Sequence, residues 1–470
     1  MTAAVVLAAG KGTRLRSTTP KVLHEAAGRP LLGWVLHALA EVDVTRIVVV
    51  VGHGGEAVRA YVQSLGLPGL SCVTQAEQRG TGHAVRVALE AGALDDTDQV
   101  VVLPGDVPAV SGDTVRRLVQ GRGAAAAAVL TTRLPDPSGY GRIVRDADGH
   151  VTAIVEDADA DESQRAILEV NAGLFAFRRE DLQRALSAVT TDNAQGEEYL
   201  TDTVALLTAA GGVEGITAPP EEVGGVNDRA QLAQVEALLR QRILTDLMRD
   251  GVRITDPAST YVDAGVTVEP DATLLPGVML HGSTTIAAGS VIGPHSRLAD
   301  TVVEEDATVT FTVATGARIG PRATVGPYTH LRAGTVLKAG SKAGGFVEMK
   351  KAVIGEGSKV PHLSYIGDAE IGRDVNIGAG VITVNYDGYD KFTTTIGDSA
   401  FIGSDTMLVA PIEVGPGAFV GAGSTITTDV PADALAVERA ERRTVEGWAA
   451  RRRQRHDLQR QAQTREEKDE

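Results

Sequence analysis

Cysteine occurs once in 470 residues, at Cys72. A single thiol excludes a disulfide framework and any zinc site built from several cysteines, and it suits a reducing compartment. Aromatic residues make up only 4 %, too few for a core built on large rings. Basic residues are in deficit: 45 Lys and Arg against 61 Asp and Glu leave a net charge of −16. That balance argues against a dedicated nucleic-acid binder, although bound phosphates would still need locally placed cations. No apolar run approaches the ~18 residues of a membrane span; the longest are Ile47 to Gly52 and the alanines Ala124 to Ala128. The stretch from Thr2 to Gly10 is apolar, but no basic residue precedes it, and Lys11 and Arg14 follow it. It reads as a first strand running into a loop rather than a secretory signal. A cytoplasmic protein is expected.

What the chain has in quantity is small and aliphatic. Hydrophobic residues reach 43 % against 23 % charged, and glycine appears 53 times. Such a composition affords a sizeable core and excludes wholesale disorder, and the length suggests two or three domains. Abundant glycine with scarce aromatics points to tight turns and close packing of β-branched side chains.

In the first half, buried-strand patterns at Val5 to Ala8, Ile47 to Val51, Val100 to Leu103 and Ala126 to Thr131 alternate with helical patterns such as Leu31 to Ala40 and Thr114 to Val119. Strands alternating with helices predict a mostly parallel α/β sheet, which binds ligands at the carboxyl ends of its strands. From Asn227 to Gly251, Leu232, Val235, Leu238, Leu239, Ile243 and Leu247 recur at helical spacing. This predicts an amphipathic connecting helix, with Asn227 or Asp228 to cap it and Gly251 to stop it.

A second period then takes over. Aliphatic residues recur every six positions at Val262, Val268, Leu274, Leu280, Ile286, Ile292 and Leu298. They resume at Val313, Ile319, Val325, Leu331 and Leu337, at Ile354, Val360 and Ile366, at Ile371 and Ile377, and finally at Ile396, Ile402, Leu408, Val414, Val420 and Ile426. This hexapeptide repeat predicts a parallel β-helix: each hexad is one flat face with its aliphatic residue inward, three faces close a coil, and roughly nine coils fit before Pro431. Such a core needs no aromatics, which accounts for the composition. The largest interruption, Thr383 to Thr395, is expected to project as a loop on the binding side. Beyond Pro431 the mixed-charge tail is expected to be solvated and partly disordered.

Glycines 10 and 12 in Leu7-Ala8-Ala9-Gly10-Lys11-Gly12-Thr13-Arg14-Leu15 let backbone N–H groups approach an anion. The segment is neither a Rossmann fingerprint nor a P-loop, because Leu15 replaces the third glycine of the former and Gly12 the Ser or Thr of the latter. Taken singly, an Asp after a strand is more often a cap or turn residue, a Lys a solvated charge, and an Asn a turn. His53 and His83 stand without a cluster and are read as structural. The ordered set says more: Pro20-Lys21-Val22-Leu23, Gln75 to Ala84, Leu103-Pro104-Gly105-Asp106-Val107-Pro108, Gly139-Tyr140-Gly141-Arg142-Ile143, Ile154-Val155-Glu156, Asn171-Ala172-Gly173, Asn193 to Glu197 and Gly225-Val226-Asn227. In the second half come Phe346 to Lys351, Pro361-His362-Leu363-Ser364-Tyr365, Val375 to Gly380 and Val384 to Gly388.

Together these motifs resemble the sugar nucleotidyltransferases and, more closely, the bifunctional family of N-acetylglucosamine-1-phosphate uridylyltransferase / glucosamine-1-phosphate acetyltransferase, over nearly the whole chain. The resemblance implies a Rossmann-like nucleotidyltransferase sheet (1–229), a linker helix (230–250), a left-handed parallel β-helix (251–440) and a charged tail (441–470). It implies that acetyl-CoA acetylates glucosamine-1-phosphate, and that UTP then uridylylates the product to UDP-N-acetylglucosamine for cell-wall precursors, with release of pyrophosphate. Asp106 and Asn227 would hold Mg²⁺, and Arg14 and Lys21 would balance phosphate charge. Leu7, Ala8, Ala9, Gly10, Gln75, Gly80 and Thr81 would hold the uridine, Gly105 would also bind the nucleotide, and Gly141, Glu156 and Asn171 would hold the sugar. In the second half His362 would be the general base, since imidazole titrates near neutrality and the sugar amine must lose a proton. Arg332, Lys350, Tyr365 and Asn376 would hold glucosamine-1-phosphate; Ala379, Asn385, Tyr386, Ser404, Ala422 and Arg439 would hold acetyl-CoA. Pro104 and Pro361 depart from the family pattern. The family's β-helices are homotrimeric, which implies sites between subunits. Two other readings stay open: a monofunctional nucleotidyltransferase whose β-helix serves regulation or assembly, and a sugar-nucleotide sensor on a trimeric scaffold.

Overall fold

The computed structural model describes residues 1–10, 12–52 and 54–469, with side chains through residue 461. Lys11 and His53 lie outside the described residues. The chain divides into two compact units, Met1–Asp306 and Ala307–Glu470.

The first unit opens with β1 (Thr2–Ala8), the short hairpin β2 (Glu25–Ala26) and β3 (Arg29–Pro30), α1 (Leu31–Ala40), β4 (Arg46–Val51), α2 (Glu56–Ser64), β5 (Leu70–Thr74), α3 (Thr81–Glu90), β6 (Gln99–Pro104) and α4 (Gly112–Gly121). It continues with β7 (Ala127–Arg133), β8 (Arg142–Arg145), β9 (Val151–Val155), α5 (Glu162–Arg165), β10 (Glu169–Arg178), α6 (Arg179–Leu186), α7 (Asp202–Gly211), β11 (Val213–Thr217) and α8 (Arg229–Arg249). The sheet order is β11-β7-β10-β6-β1-β4-β5, with β8 and β9 attached to β10. β1 lies parallel between β4 and β6, and β10 is the antiparallel member.

Alternation along β1 explains the layering. Ala4 and Val6 enter a core with α1, α2 and α4, whereas Ala3 and Val5 face α3, α6 and α7. A strand buried on both faces must be aliphatic throughout, so it reads as a continuous run. α8 begins as expected: the Asp228 side chain accepts from Gln231 N at 2.8 Å, and Gly251 follows its end at φ +98°.

Behind the first loop, the hairpin β2–β3 is gripped from several sides. Ala27, at φ +48°, donates its N–H to Glu236 of α8 at 2.6 Å, and its carbonyl accepts from Ala264 N at 2.8 Å. Trp34 closes the turn through its indole N–H to the Ala26 carbonyl at 2.8 Å, under the Arg29 guanidinium. The rest of this unit is hexads: Val262 pairs with Leu280, and Leu280 with Leu298. Every expected inward aliphatic from Val262 to Leu298 is buried.

The second unit is itself built of parallel hexad strands. Arg318 pairs with Val336, Lys342 with Lys359, and Asn376 with Phe401. The longer last step accommodates the projecting loop, where Tyr386 and Tyr389 are exposed. One expected position is corrected. Val313 points outward at 43 % exposure, while its neighbours Thr312 and Ala314 are buried. Five-residue steps, from Leu298 to Val303, from Val309 to Ala314 and from Ala314 to Ile319, reset the phase, so that a count of six back from Ile319 falls on Val313 instead of Ala314. The tail also differs from expectation, since residues Trp448–Asp469 form a helix, α9, whose described side chains are exposed. Arg, Ala and Gln are strong helix formers, so local propensity orders a segment that has no apolar stripe.

Candidate functional sites

At the carboxyl ends of β1 and β6 lies a cavity of about 690 Å³. Leu7, Ala8, Ala9, Gly10, Lys21, Gln75, Gly80, Thr81, Asp106, Glu156 and Asn171 line it. An adjoining cavity of about 330 Å³ shares Asp106, Glu156 and Asn171 and adds Arg14, Gly141 and Asn227. Gly105 lines neither. Its N–H donates to Leu7 O at 2.8 Å and fixes the strand end. Pro104 still pairs with Leu7 in the strand register and forms part of the wall.

At the junction of the two cavities, oxygen donors and cations meet. Lys21 Nζ forms an ion pair with Asp106 Oδ2 and donates to Asn227 Oδ1 at 2.9 Å. Arg14 donates to the same Asn227 oxygen at 3.1 Å. Asn227 sits just before α8, and Gln231 of the first turn accepts from its backbone N–H at 2.7 Å. Asp106 is tied in through its carbonyl, which accepts from Val226 N at 3.0 Å.

A buried carboxylate shared by the two cavities is Glu156. Burial raises its pKa above the usual carboxylate range, and the hydroxyl of Thr201, donating at 2.8 Å, offsets part of that. Asn171 is held by its backbone N–H to Gly141 O at 2.8 Å, while its side-chain oxygen accepts from Gly173 N. In the wall of the larger cavity, the Gln75 amide donates to Gly80 O at 3.1 Å and lies 3.0 Å from His83 Nδ1. His83 therefore supports Gln75, in keeping with its structural reading.

In the second unit, His362 ends the strand Lys359–His362, exposed and in register with Gly345. Gly344 lets the backbone just before His362 pass close by: a Cβ there would lie 2.0 Å from the Pro361 carbonyl oxygen. Lys350 is in register with Gly367, and the Tyr365 hydroxyl lies over Gly367. Lys391, contributed by the projecting loop, lies against Lys350 and lowers its pKa, first through a side-chain hydrogen bond and then through charge repulsion, to which Arg332 adds. Arg332 is half-exposed and paired with Glu348 at 3.0 Å. Asn385 reaches back to Asp368, whereas the Tyr386 hydroxyl turns to Gly388 O at 2.6 Å. Asn376 sits between Lys359 and Phe401. Ala379, Ser404 and Ala422 stack on successive coils, where glycine at 378 and 403 lets the backbones approach. Arg439 lies against Gly423, beside Ala422.

Comparison with known proteins agrees along the whole chain. A MobA-like NTP transferase domain matches residues 4–194, and the bacterial transferase hexapeptide (six repeats) matches residues 393–428. The bifunctional protein GlmU of Streptomyces coelicolor is 53 % identical over 458 residues, covering 96 % of this chain and 94 % of that protein. The chain belongs to the bifunctional GlmU family. GlmU of Thermobifida fusca is 52 % identical, with 96 % of this chain and 94 % of that protein covered, and GlmU of Heliobacterium modesticaldum is 49 % identical, with 96 % and 98 % covered.

As a GlmU-family enzyme the protein is a bifunctional transferase, uridylyltransferase in its first half and acetyltransferase in its hexapeptide half. Its nucleotidyltransferase half carries the family's requirement for a divalent metal. Its substrates are small molecules, and hexapeptide repeats go with oligomers. Among the described residues, no helix is long and apolar enough to cross a membrane. Several residues at these candidate sites escaped sequence reasoning. Thr201 and Gln78 line the larger cavity and Tyr140 the smaller, and Lys391 joins the second cationic cluster. The signals available were Gln78 inside the Gln75 to Ala84 motif, Tyr140 inside a glycine motif and Lys391 inside the insertion.

Proposed function

We propose that the N-terminal cavities are the uridylyl-transfer site and that the cationic cluster around Lys350, with His362, is the acetyl-transfer site. The observation that carries the first assignment is the Lys21 ammonium placed against both Asp106 and Asn227. Two hard oxygen donors that already accept a cation fit a small divalent ion. Asp106 and Asn227 would hold Mg²⁺, which when bound would supply positive charge to offset the phosphate charge. Arg14 and Lys21 neutralise the phosphate oxygens of UTP. Leu7 to Gly10, Gln75, Gly80 and Thr81 enclose the uridine, while Glu156, Asn171 and Gly141 orient N-acetylglucosamine-1-phosphate. A phosphate oxygen of that sugar attacks the α-phosphorus and pyrophosphate leaves. Such transfer needs positioning and charge neutralisation rather than covalent help from the protein.

At the second site, Arg332, Lys350 and Lys391 bind the phosphate of glucosamine-1-phosphate, with Tyr365 and Asn376 on the sugar. Ala379, Asn385, Tyr386, Ser404, Ala422 and Arg439 hold acetyl-CoA. His362 takes a proton as the amine attacks the thioester carbonyl; the N–C bond forms, the C–S bond breaks, and the coenzyme leaves as its thiol. We read residues 1–229 as the uridylyltransferase domain, 230–250 as the linker, 251–440 as the left-handed acetyltransferase β-helix and 441–470 as the tail. A cytoplasmic homotrimer, in which a second subunit closes over the exposed His362, completes the reading.

The test combines the purified protein with glucosamine-1-phosphate, acetyl-CoA, UTP and Mg²⁺ and follows free thiol and pyrophosphate together, with and without EDTA. Thiol release that survives EDTA, with pyrophosphate release that does not, is the expected result. Pyrophosphate only from added N-acetylglucosamine-1-phosphate, with no thiol release, would leave a nucleotidyltransferase on a non-catalytic β-helix.

A further inference from the structure

One acidic side chain near the uridylyl-transfer site has no part in the roles above. Glu198 has a side chain only 8 % exposed, and it is held by two arginines more than a hundred residues earlier in the chain. Arg79 donates to Oε1 at 2.9 Å, and Arg86, on α3, donates to Oε1 at 2.7 Å and to Oε2 at 2.5 Å. A buried carboxylate taken from water needs such pairing, and removing it strands the partners.

The backbone around it is a splice between two subsites. Glu198 N donates to Arg79 O at 2.8 Å, and Gly82 N donates to Glu198 O at 2.8 Å. Leu200 N donates to the Thr81 hydroxyl at 3.0 Å. Gly80, at φ +111°, passes so close that a Cβ would lie 2.4 Å from Glu198 O. Residues 79–82, on the uridine side, are thus laced to 198–200. Immediately beyond, Thr201 donates to Glu156 on the sugar side at 2.8 Å. A segment of four residues, 198–201, therefore touches both halves of the cavity, and the two arginines clamp its first member.

We infer that Glu198 is a positioning residue that fastens the uridine-contacting loop to the sugar-contacting segment, so that both subsites are set by one ion-paired latch. This rests on the uridylyl-transfer reading above. Glu198 need touch neither substrate; it acts through Gly80 and Thr81 on one side and through Thr201 and Glu156 on the other.

The experiment is steady-state uridylyl transfer by wild type, Glu198→Ala, Glu198→Gln and Arg86→Gln, with thermal unfolding and thiol release recorded for each. Loosening the latch in Glu198→Ala should raise KM for UTP and for N-acetylglucosamine-1-phosphate by about tenfold each, within the usual range of coupling between sites, with kcat within about threefold. Glu198→Gln keeps the shape and one accepting oxygen, so it should recover part of both. Arg86→Gln should raise both KM values in smaller measure. Both KM values within about twofold of wild type, or movement of only one, would overturn the inference. So would a fall in kcat at unchanged KM. If Glu198→Ala unfolds, the Gln variants decide by the same criterion. Failure of the underlying reading would show separately, as a wild type that releases no pyrophosphate.

Discussion

Lys21 donates its ammonium to Asn227 across 206 residues of chain, at 2.9 Å, and the same nitrogen is ion-paired with Asp106. A loop after β1, a loop after β6 and the head of α8 are thereby brought to one point. Charge at that point is what phosphoryl transfer needs.

Replacing Asp106 by Ala should lower uridylyl transfer by at least about a hundredfold, the scale of losing a preorganised electrostatic group. Thiol release should stay within about twofold. Paired pyrophosphate and thiol assays read both numbers. Loss of both activities in a folded Asp106→Ala protein would sink the two-site division.

Glu156 predicts a pH dependence. Burial holds its carboxyl above the usual range, with Asp202, Asp159 and Asp157 adding repulsion against the Thr201 hydrogen bond. The ionised form that accepts sugar hydroxyls thus appears later as pH rises. KM for N-acetylglucosamine-1-phosphate should fall as pH rises through that elevated range and then level off. The sign for stability is opposite: the folded state favours the protonated acid, so this group's contribution is greatest below the unfolded pKa and shrinks as pH rises through the folded one. Glu156→Gln should flatten the KM profile. A wild-type acid limb lying in the ordinary carboxylate range would contradict this account.

Lys391 should prove part of phosphate binding at the acetyl-transfer site. Removing it as Lys391→Ala should raise KM for glucosamine-1-phosphate about tenfold, in line with a hydrogen bond to a charged group. It should also let Lys350 keep its proton to higher pH, because Lys391, first through a side-chain hydrogen bond and then through charge repulsion, leads the causes of its lowered pKa. The alkaline limb of acetyl transfer should move upward in the variant. An unmoved limb with unchanged KM would remove Lys391 from the site.

The phase of the β-helix can be checked by stability. Ile319 is fully buried, so Ile319→Ala should cost about 2–5 kcal/mol. Val313 is 43 % exposed, so Val313→Ala should stay within about 0.5 kcal/mol. Equal losses in thermal or denaturant unfolding would return Val313 to the core.

These contrasts also show how far sequence alone reaches. β1, β4 and β6 are legible because a strand buried on both faces must be aliphatic throughout, and α1 because its pattern repeats at helical spacing. Hexads are legible because each coil demands the same inward residue. The five-residue steps around Val303 and Ala314 are not, since nothing local marks a shortened face. Nor does periodicity single out Asp106, Lys21 and Asn227; only their ordered resemblance to a family does so, and the structure then brings them together. Thr201, Lys391 and Glu198 stayed hidden because each gains its meaning from a partner remote in sequence: Glu156, Lys350 and Arg86.

The placement of tryptophan gives the molecule a built-in optical gauge. Of its two indoles, Trp448 lies on the exposed α9, and Trp34 donates to the turn of the hairpin that follows Lys21, with the Arg29 cation 4.6 Å from its ring. The aliphatic coils between them contain no tryptophan and are silent in this band. Emission from Trp34 therefore follows the segment leading out of the Lys21 loop, and UTP binding can be watched without a label once Trp448 is replaced by Phe.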